Sequence, residues 1–219
     1  LHDPMSPAKA KKIAIEKLRE VGMPSPEQRF DSYSWQLSGG LRQRAIIAMA
    51  LSCNPSVLIA DEPTTAIDVT TQAQVLELLK QLQRDNGSSI LFITHDLGVI
   101  AQVADYVVVM YLGKVMEQGP VSDIFHRPRH PYTKALLQSM PSLHSEPRVA
   151  LPTVAGSIPH PLHRPQGCAF HPRCPDFMPG VCDAHVPALV AVDGGPPVAC
   201  FLHHDQVEGG GTVGARSAS

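Results

Sequence analysis

The chain has 219 residues, of which 43% are apolar, and a formal net charge of -2 at pH 7. That length supports one domain with a real core plus an appendage, and the near-neutral charge gives no basis for bulk nucleic-acid binding. No run approaches the ~18 apolar residues of a membrane-spanning helix and no signal peptide opens the chain, so the expected compartment is the cytoplasm, with membrane association only through a partner.

In chain order, Pro7 to Gly22 alternates basic and apolar positions at helical spacing. This predicts a helix with Ile13, Leu18 and Val21 facing inward, stopped by Gly22 and Pro24. A second helix is expected from about Gly39 to Leu51, ended by Asn54-Pro55. Ser56 to Ala60 is a short apolar run, the pattern of a buried parallel strand, and it ends in Asp61-Glu62. Asp68 is placed to cap a helix with Val75, Leu76, Leu79 and Leu82 on one face and a stop at Asn86-Gly87. Ser89 to Thr94 reads as another buried strand, followed by His95, and Asp96 is placed to cap a helix through Ala104. Tyr106 to Leu112 and Val115 to Gln118 read as a hairpin turned by Gly113-Lys114. Alternating strands and helices predict an α/β sheet with its ligands at the strand C-termini. Asp61, Glu62 and His95 all stand at such ends.

The segment Gln36-Leu37-Ser38-Gly39-Gly40-Leu41-Arg42-Gln43-Arg44 opens the second helix. It offers a hydroxyl and unpaired backbone N–H groups to an anion, aided by the helix dipole. The following strand delivers two adjacent carboxylates that point different ways, one for a metal and one for a water. Together they indicate phosphate chemistry. A G-x-x-x-x-G-K-[ST] loop is not in the sequence: the only Gly-Lys pair, Gly113-Lys114, is followed by Val115, with Val108 where the first glycine would stand.

With these parts in this order, the chain resembles the nucleotide-binding cassette of ATP-binding cassette (ABC) transporters over about Pro7 to Gln118. The resemblance implies an α/β fold, part of an ABC-type P-loop cassette, with ATP and Mg²⁺ as cofactors. It implies that Asp61 holds Mg²⁺, Glu62 orients the attacking water and His95 senses the γ-phosphate. It also implies that Ser38, Gly39, Gly40 and Gln43 touch nucleotide held on an opposite subunit, with Asp68 in the loop between subunits. Ile67 departs mildly from the leucine usual there. Lacking the phosphate loop, the chain reads as the C-terminal portion of a cassette, inactive by itself.

Composition shifts in the second half, where prolines, histidines and four of the five cysteines crowd after His126. Residues 1–125 are therefore expected to form the cassette part, and 126–219 a loop-rich extension with a disordered end. His130-Pro131-Tyr132-Thr133-Lys134-Ala135-Leu136-Leu137 and Cys168-Ala169-Phe170-His171-Pro172-Arg173-Cys174-Pro175 resemble the segment that follows the cassette in di- and oligopeptide importer ATPases and their nickel-importing relatives. That implies a second ABC ATPase subunit, membrane permease subunits and, indirectly, an extracytoplasmic peptide-binding protein as partners, at the cytoplasmic face of the membrane.

Cys168, Cys174, Cys182 and Cys200 are separated by five, seven and seventeen residues, which are not the tight pairs of a zinc ribbon. Four thiolates in a tail with little apolar periodicity, and so expected to lack a core of its own, suit a metal centre. The resemblance favours a 4Fe–4S cluster over zinc, and buried packing residues are the plain alternative. Cys53 reads as core packing, and His171, His203 and His204 as surface residues. The function so implied is ATP-driven peptide uptake. The rival readings are a nickel importer, an ABC ATPase outside transport, and a truncated remnant that binds only metal.

Overall fold

The computed structural model describes residues 5–65, 67–140, 154, 156–160, 162–192 and 195–204. The expectation for the last residues, 205–219, lies outside them. The chain forms two compact units, divided between Asp96 and Leu97.

The first unit opens with α1 (Pro7–Glu20), capped by Ser6 with Pro7 in its first turn. Gly22 follows in the left-handed region at φ 68°, and the Arg44 guanidinium donates to the Val21 carbonyl at this helix end. Of the three expected inward residues, Val21 is fully buried just past the helix, and Leu18 packs against the core. The short α2 (Pro26–Arg29) leads to α3 (Gly39–Leu51), whose N-cap is Ser38. Next come β1 (Val57–Asp61), α4 (Val69–Asn86) and β2 (Ser89–Ile93). Asp68 caps α4, and Gly87 ends it at φ 62°.

β1 and β2 pair in parallel, Asp61 opposite Ile93. Leu58 is buried with Ile47, Leu51, Val75 and Leu79 of α3 and α4, and Ile90 and Phe92 pack on the same core. Val57, Ile59, Leu91 and Ile93 are exposed. The expectation of wholly buried strands is corrected here: this unit's sheet has two strands, and helices cover one face of it. Cys53 also departs from expectation. It is exposed, because α3 ends at Leu51 and the thiol falls in the turn beyond.

The second unit begins with α5 (Leu97–Val103), then the antiparallel β3 (Tyr106–Tyr111) and β4 (Lys114–Pro120). The hairpin turns at Leu112-Gly113, not Gly113-Lys114, since Lys114 already pairs with Tyr111. Leu112 and Gly113 have φ of 46° and 74°, the two positive values that a two-residue turn with matching twist requires. The chain continues through α6 (Val121–His126) and α7 (Pro131–Gln138). It returns as β5 (Val190–Ala191) and β6 (Pro197–Val198), completing a four-stranded sheet in the order β3-β4-β6-β5.

The cysteine-bearing segment has a core after all. Phe170 and Val198 are fully buried, and Cys168, Cys182 and Phe201 pack with Tyr111 and Met116 of the hairpin. The Phe170 ring meets Tyr111 edge-on at 5.4 Å. Its apolar residues are irregularly spaced because the segment packs through turns rather than through a periodic helix or strand. No helix among the described residues is long and apolar enough to cross a membrane.

Candidate functional site

The first constellation lies where β1 and β2 end side by side. The Glu62 N–H donates to the Ile93 carbonyl at 2.9 Å, extending the parallel ladder one residue past the strand. Glu62 then takes φ 44°, a left-handed conformation uncommon for a side chain with a Cβ and one that collects at functional sites. The turn closes with the Thr65 N–H on the Glu62 carbonyl at 3.1 Å. This geometry presents the carboxylate to two partners. His95 Nδ1 lies 3.0 Å from Oε1, and the Thr65 hydroxyl donates to Oε2 at 3.0 Å. The His95 bond, followed by the Thr65 bond, holds the carboxyl below its ordinary value of 4.5. The side chains of His95 and Glu62 remain 78% and 45% exposed, so an external group can reach both. Asp61 is exposed at the strand end beside them.

Two further elements of this unit carry the other candidate residues. At α3, the Leu41 N–H reaches the Ser38 hydroxyl at 3.4 Å, which places Ser38 with Gly39 and Gly40 at a helix end carrying unpaired N–H groups. Gln43 is half-buried one turn on. At α4, Asp68 accepts from the Thr71 N–H at 2.9 Å and from its hydroxyl at 2.7 Å, and its carboxyl is lowered from 3.8 chiefly by the backbone bond. The two helix starts meet at Thr71: a Cβ on Gly40 would stand 2.6 Å from Thr71 Cγ2. Among the described residues, no hydrogen bond joins Ser38 or Gln43 to Asp61, Glu62 or His95. Thr65 and Thr71 escaped the sequence reading. The only local signal for each is a hydroxyl three residues after an acid, the spacing of a capped turn.

The second constellation lies wholly in the second unit. Gly167, at φ 69°, lets two turns approach so closely that a Cβ there would stand 2.3 Å from the Cys182 carbonyl. The Cys168 N–H donates to that same carbonyl at 2.7 Å. Cys168, Cys174, Cys182 and Cys200 thereby line one cavity of about 10 Å³, together with His130 and Phe170. All four are free thiols. Burial raises each of them, Cys174 to about 11 and Cys200 to about 12, with neighbouring thiols adding to the effect at Cys168, Cys174 and Cys200 and Asp183 adding to it at Cys182. Among the described residues, no three His, Cys, Asp or Glu side chains stand in the geometry that one metal ion requires. His171 is not a plain surface residue, since it lines the cavity and its Nδ1 lies 3.0 Å from the Cys168 carbonyl. His203 Nε2 lies 3.3 Å from the Arg129 carbonyl and His204 Nε2 3.1 Å from the Ala188 carbonyl.

Sequence and structure comparisons bear on both constellations. A family model described as ABC transporter matches residues 4–65, and one described as oligopeptide/dipeptide transporter, C-terminal region, matches residues 116–182. The chain is 49% identical over 205 residues to the oligopeptide transport ATP-binding protein AppD of Bacillus subtilis, covering 94% of this chain and 62% of that protein. It is 49% identical over 207 residues to the dipeptide transport ATP-binding protein DppD of the same organism, covering 94% of this chain and 61% of that one. The chain thus spans about six-tenths of the length of these relatives. Among solved structures, CbiO1 of Clostridium perfringens, part of an ABC transporter complex, aligns with a TM-score of 0.51 at 30% identity, over 57% of this chain and 49% of that one. Residues 4–65 thus match the ABC transporter family and residues 116–182 the C-terminal region of oligopeptide/dipeptide transporters, and over 94% of its length the chain is similar to ATP-binding proteins named for oligopeptide and dipeptide transport.

Proposed function

We propose that this chain serves in the ATP-binding and ATP-hydrolysing subunit of an importer of di- or oligopeptides, peripheral at the cytoplasmic face of the membrane. The subunit pairs with a second ABC ATPase and drives membrane permease subunits, to which an extracytoplasmic binding protein delivers peptide. The observation that carries this reading is the Glu62 carboxylate at the end of β1, held at 3.0 Å from both His95 and Thr65. Such a carboxylate is oriented without being buried, as a group that positions a water must be.

In this reading Glu62 orients the attacking water. His95, with Nδ1 committed to Glu62, turns Nε2 to a phosphate oxygen. The exposed Asp61 carboxylate suits Mg²⁺, a hard cation that prefers oxygen ligands, and the ion would neutralise charge on the phosphates. Ser38, Gly39, Gly40 and Gln43 act on nucleotide held by the opposite subunit, and Asp68, fixed by Thr71, stands in the loop between subunits. The sequence holds no G-x-x-x-x-G-K-[ST] segment, so the isolated chain is expected to bind ATP weakly and to turn over almost none.

The four cysteines are read as the ligands of an iron–sulfur cluster. Their shared cavity and their mutual electrostatic influence support this. A single zinc ion holds its sulfurs ~2.3 Å away and so draws them into one tight group, which the described thiols do not form. The cavity of about 10 Å³ has room for about one water, so loading requires the surrounding turns to open and the four thiols to release their protons.

In the importer assembled with this subunit, Glu62→Gln should retain ATP binding and abolish turnover at its site, because the amide cannot take up the water's proton. Turnover at that site near the wild-type rate would contradict the assignment.

A further inference from the structure

We propose that Trp35, backed by Tyr33, is a stacking platform for the base of the nucleotide held by the opposite subunit. The inference rests on the reading that Ser38, Gly39 and Gly40 touch that nucleotide.

The two rings lie parallel, with centroids 4.3 Å apart and planes 8° from one another. Each nevertheless stays in solvent: Trp35 is 70% exposed and Tyr33 62%. Leaving large apolar rings in water forgoes the free energy that burial would recover, and these two cover only one face of each other. The far face of the indole is flat, open and ready to extend the stack. The segment that carries it is stiff. Ser34–Gln36 forms a single 3₁₀ turn. The Tyr33 N–H donates to Gln36 Oε1 at 2.8 Å, and the Gln36 N–H returns to the Tyr33 carbonyl at 2.9 Å. Leu37, directly after it, is buried.

The platform is tied to the start of α3. Arg42, one turn into that helix, donates from Nε to the Leu37 carbonyl at 3.0 Å, and Ser38 is the helix cap. The rings and the Ser38 hydroxyl are therefore held in a fixed relation. Trp35 stands three residues before Ser38, a span of at most about 10 Å. A sugar and a chain of phosphates separate a base from its terminal phosphate over a comparable length. With the terminal phosphate at Ser38 to Gly40, the base comes within reach of the indole. An aromatic ring stacks on any base, because every base has a π face. The platform thus adds affinity for nucleotide without choosing adenine over guanine. A base is itself flat and extends a parallel pair, whereas a docking protein helix needs a groove for its side chains.

The test uses the importer reconstituted from this subunit, its partner ATPase and the permeases, as wild type, Trp35→Ala and Trp35→Phe. Both rings are exposed, so neither change removes core packing. At the site served across the interface, Trp35→Ala should raise KM for ATP on the order of tenfold, and KM for GTP by the same factor, with kcat within about twofold of wild type. Trp35→Phe should recover most of the loss. Inorganic tripolyphosphate, which has no base, should inhibit all three equally. Trp35 is the only tryptophan of the chain, so the emission that wild type has and Trp35→Phe lacks should be quenched by ATP and not by tripolyphosphate. An unchanged KM for ATP in Trp35→Ala would overturn the inference, and loss of the permeases from that variant would then assign the rings to a protein contact. ATP and tripolyphosphate weakened alike would also overturn it, because the damage would lie at the phosphates. Turnover by Ser38→Arg at the wild-type rate would instead overturn the reading of the helix start, and this inference with it.

Discussion

The second glycine of the Ser38-Gly39-Gly40 run is set by packing as much as by any ligand, and Gly40→Ala tests this. The new Cβ would stand 2.6 Å from Thr71 Cγ2, about 1 Å inside the ~3.5–4.0 Å at which two carbons rest. Thr71 cannot turn aside freely, because its hydroxyl and its N–H are both bonded to Asp68. Overpacking of this kind costs roughly 1–3 kcal/mol, while exchanging Gly for Ala in a helix returns at most about 1 kcal/mol. The net expectation, after a return of about 1 kcal/mol, is a loss of about 0–2 kcal/mol. Thr71→Ser deletes Cγ2 and keeps the hydroxyl, so the double variant should recover most of the loss. Denaturant unfolding of the four proteins of this cycle, with equal m-values, measures the coupling directly. Coupling within ~0.3 kcal/mol of zero would refute the contact between the two helix starts.

Glu117 is 2% exposed and accepts from the N–H groups of Arg129 at 2.7 Å and His130 at 3.0 Å. Glu117→Leu leaves both donors unsatisfied and should cost roughly 2–6 kcal/mol, read by chemical unfolding, whereas a change below ~0.5 kcal/mol would show that water reaches those donors. Thr65→Val removes one of the two bonds that favour the ionised Glu62 carboxyl. Carbon-13 NMR of the carboxyl against pH should show its titration moving up toward 4.5. The bonds favour the folded state above the ordinary carboxyl range, and that contribution fades as pH falls through the lowered value. An unchanged titration would remove Thr65 from the arrangement. In the metal-free chain, a thiol reagent at pH 8 should modify the exposed Cys53 first, and the half-buried Cys174 and the buried Cys168, Cys182 and Cys200 far more slowly. Equal rates at all five would contradict the enclosed pocket.

The parts that were legible in the sequence are those with local causes. α3 and α4 run where expected because Ser38, Asp68 and Gly87 are caps, and a cap acts within one helical turn. The hairpin was legible as a hairpin, but not its turn, since nothing in the sequence announces that Leu112 adopts φ 46°. The exposed faces of β1 and β2 were not legible either: an apolar run reads the same whether one face or both are covered. Asp61, Glu62, His95 and the four cysteines stand out because their residue types and spacing are unusual. Thr65, Thr71 and His130 do not, because what distinguishes them is a contact: a hydroxyl on a carboxylate, a methyl against a glycine in another helix, an imidazole in a cavity whose other walls lie some forty to seventy positions further on.

The central claim is that Glu62 serves the ATP hydrolysis that moves peptide. The measurement that tests it most directly is ATP-dependent peptide uptake into proteoliposomes holding the permease pair, the partner ATPase and this subunit, wild type against Glu62→Gln, with ATP occupancy followed in parallel. The account predicts that the variant still loads ATP and takes up no peptide beyond the level seen without ATP. Uptake by the variant at the wild-type rate, with ATP loaded, would contradict it.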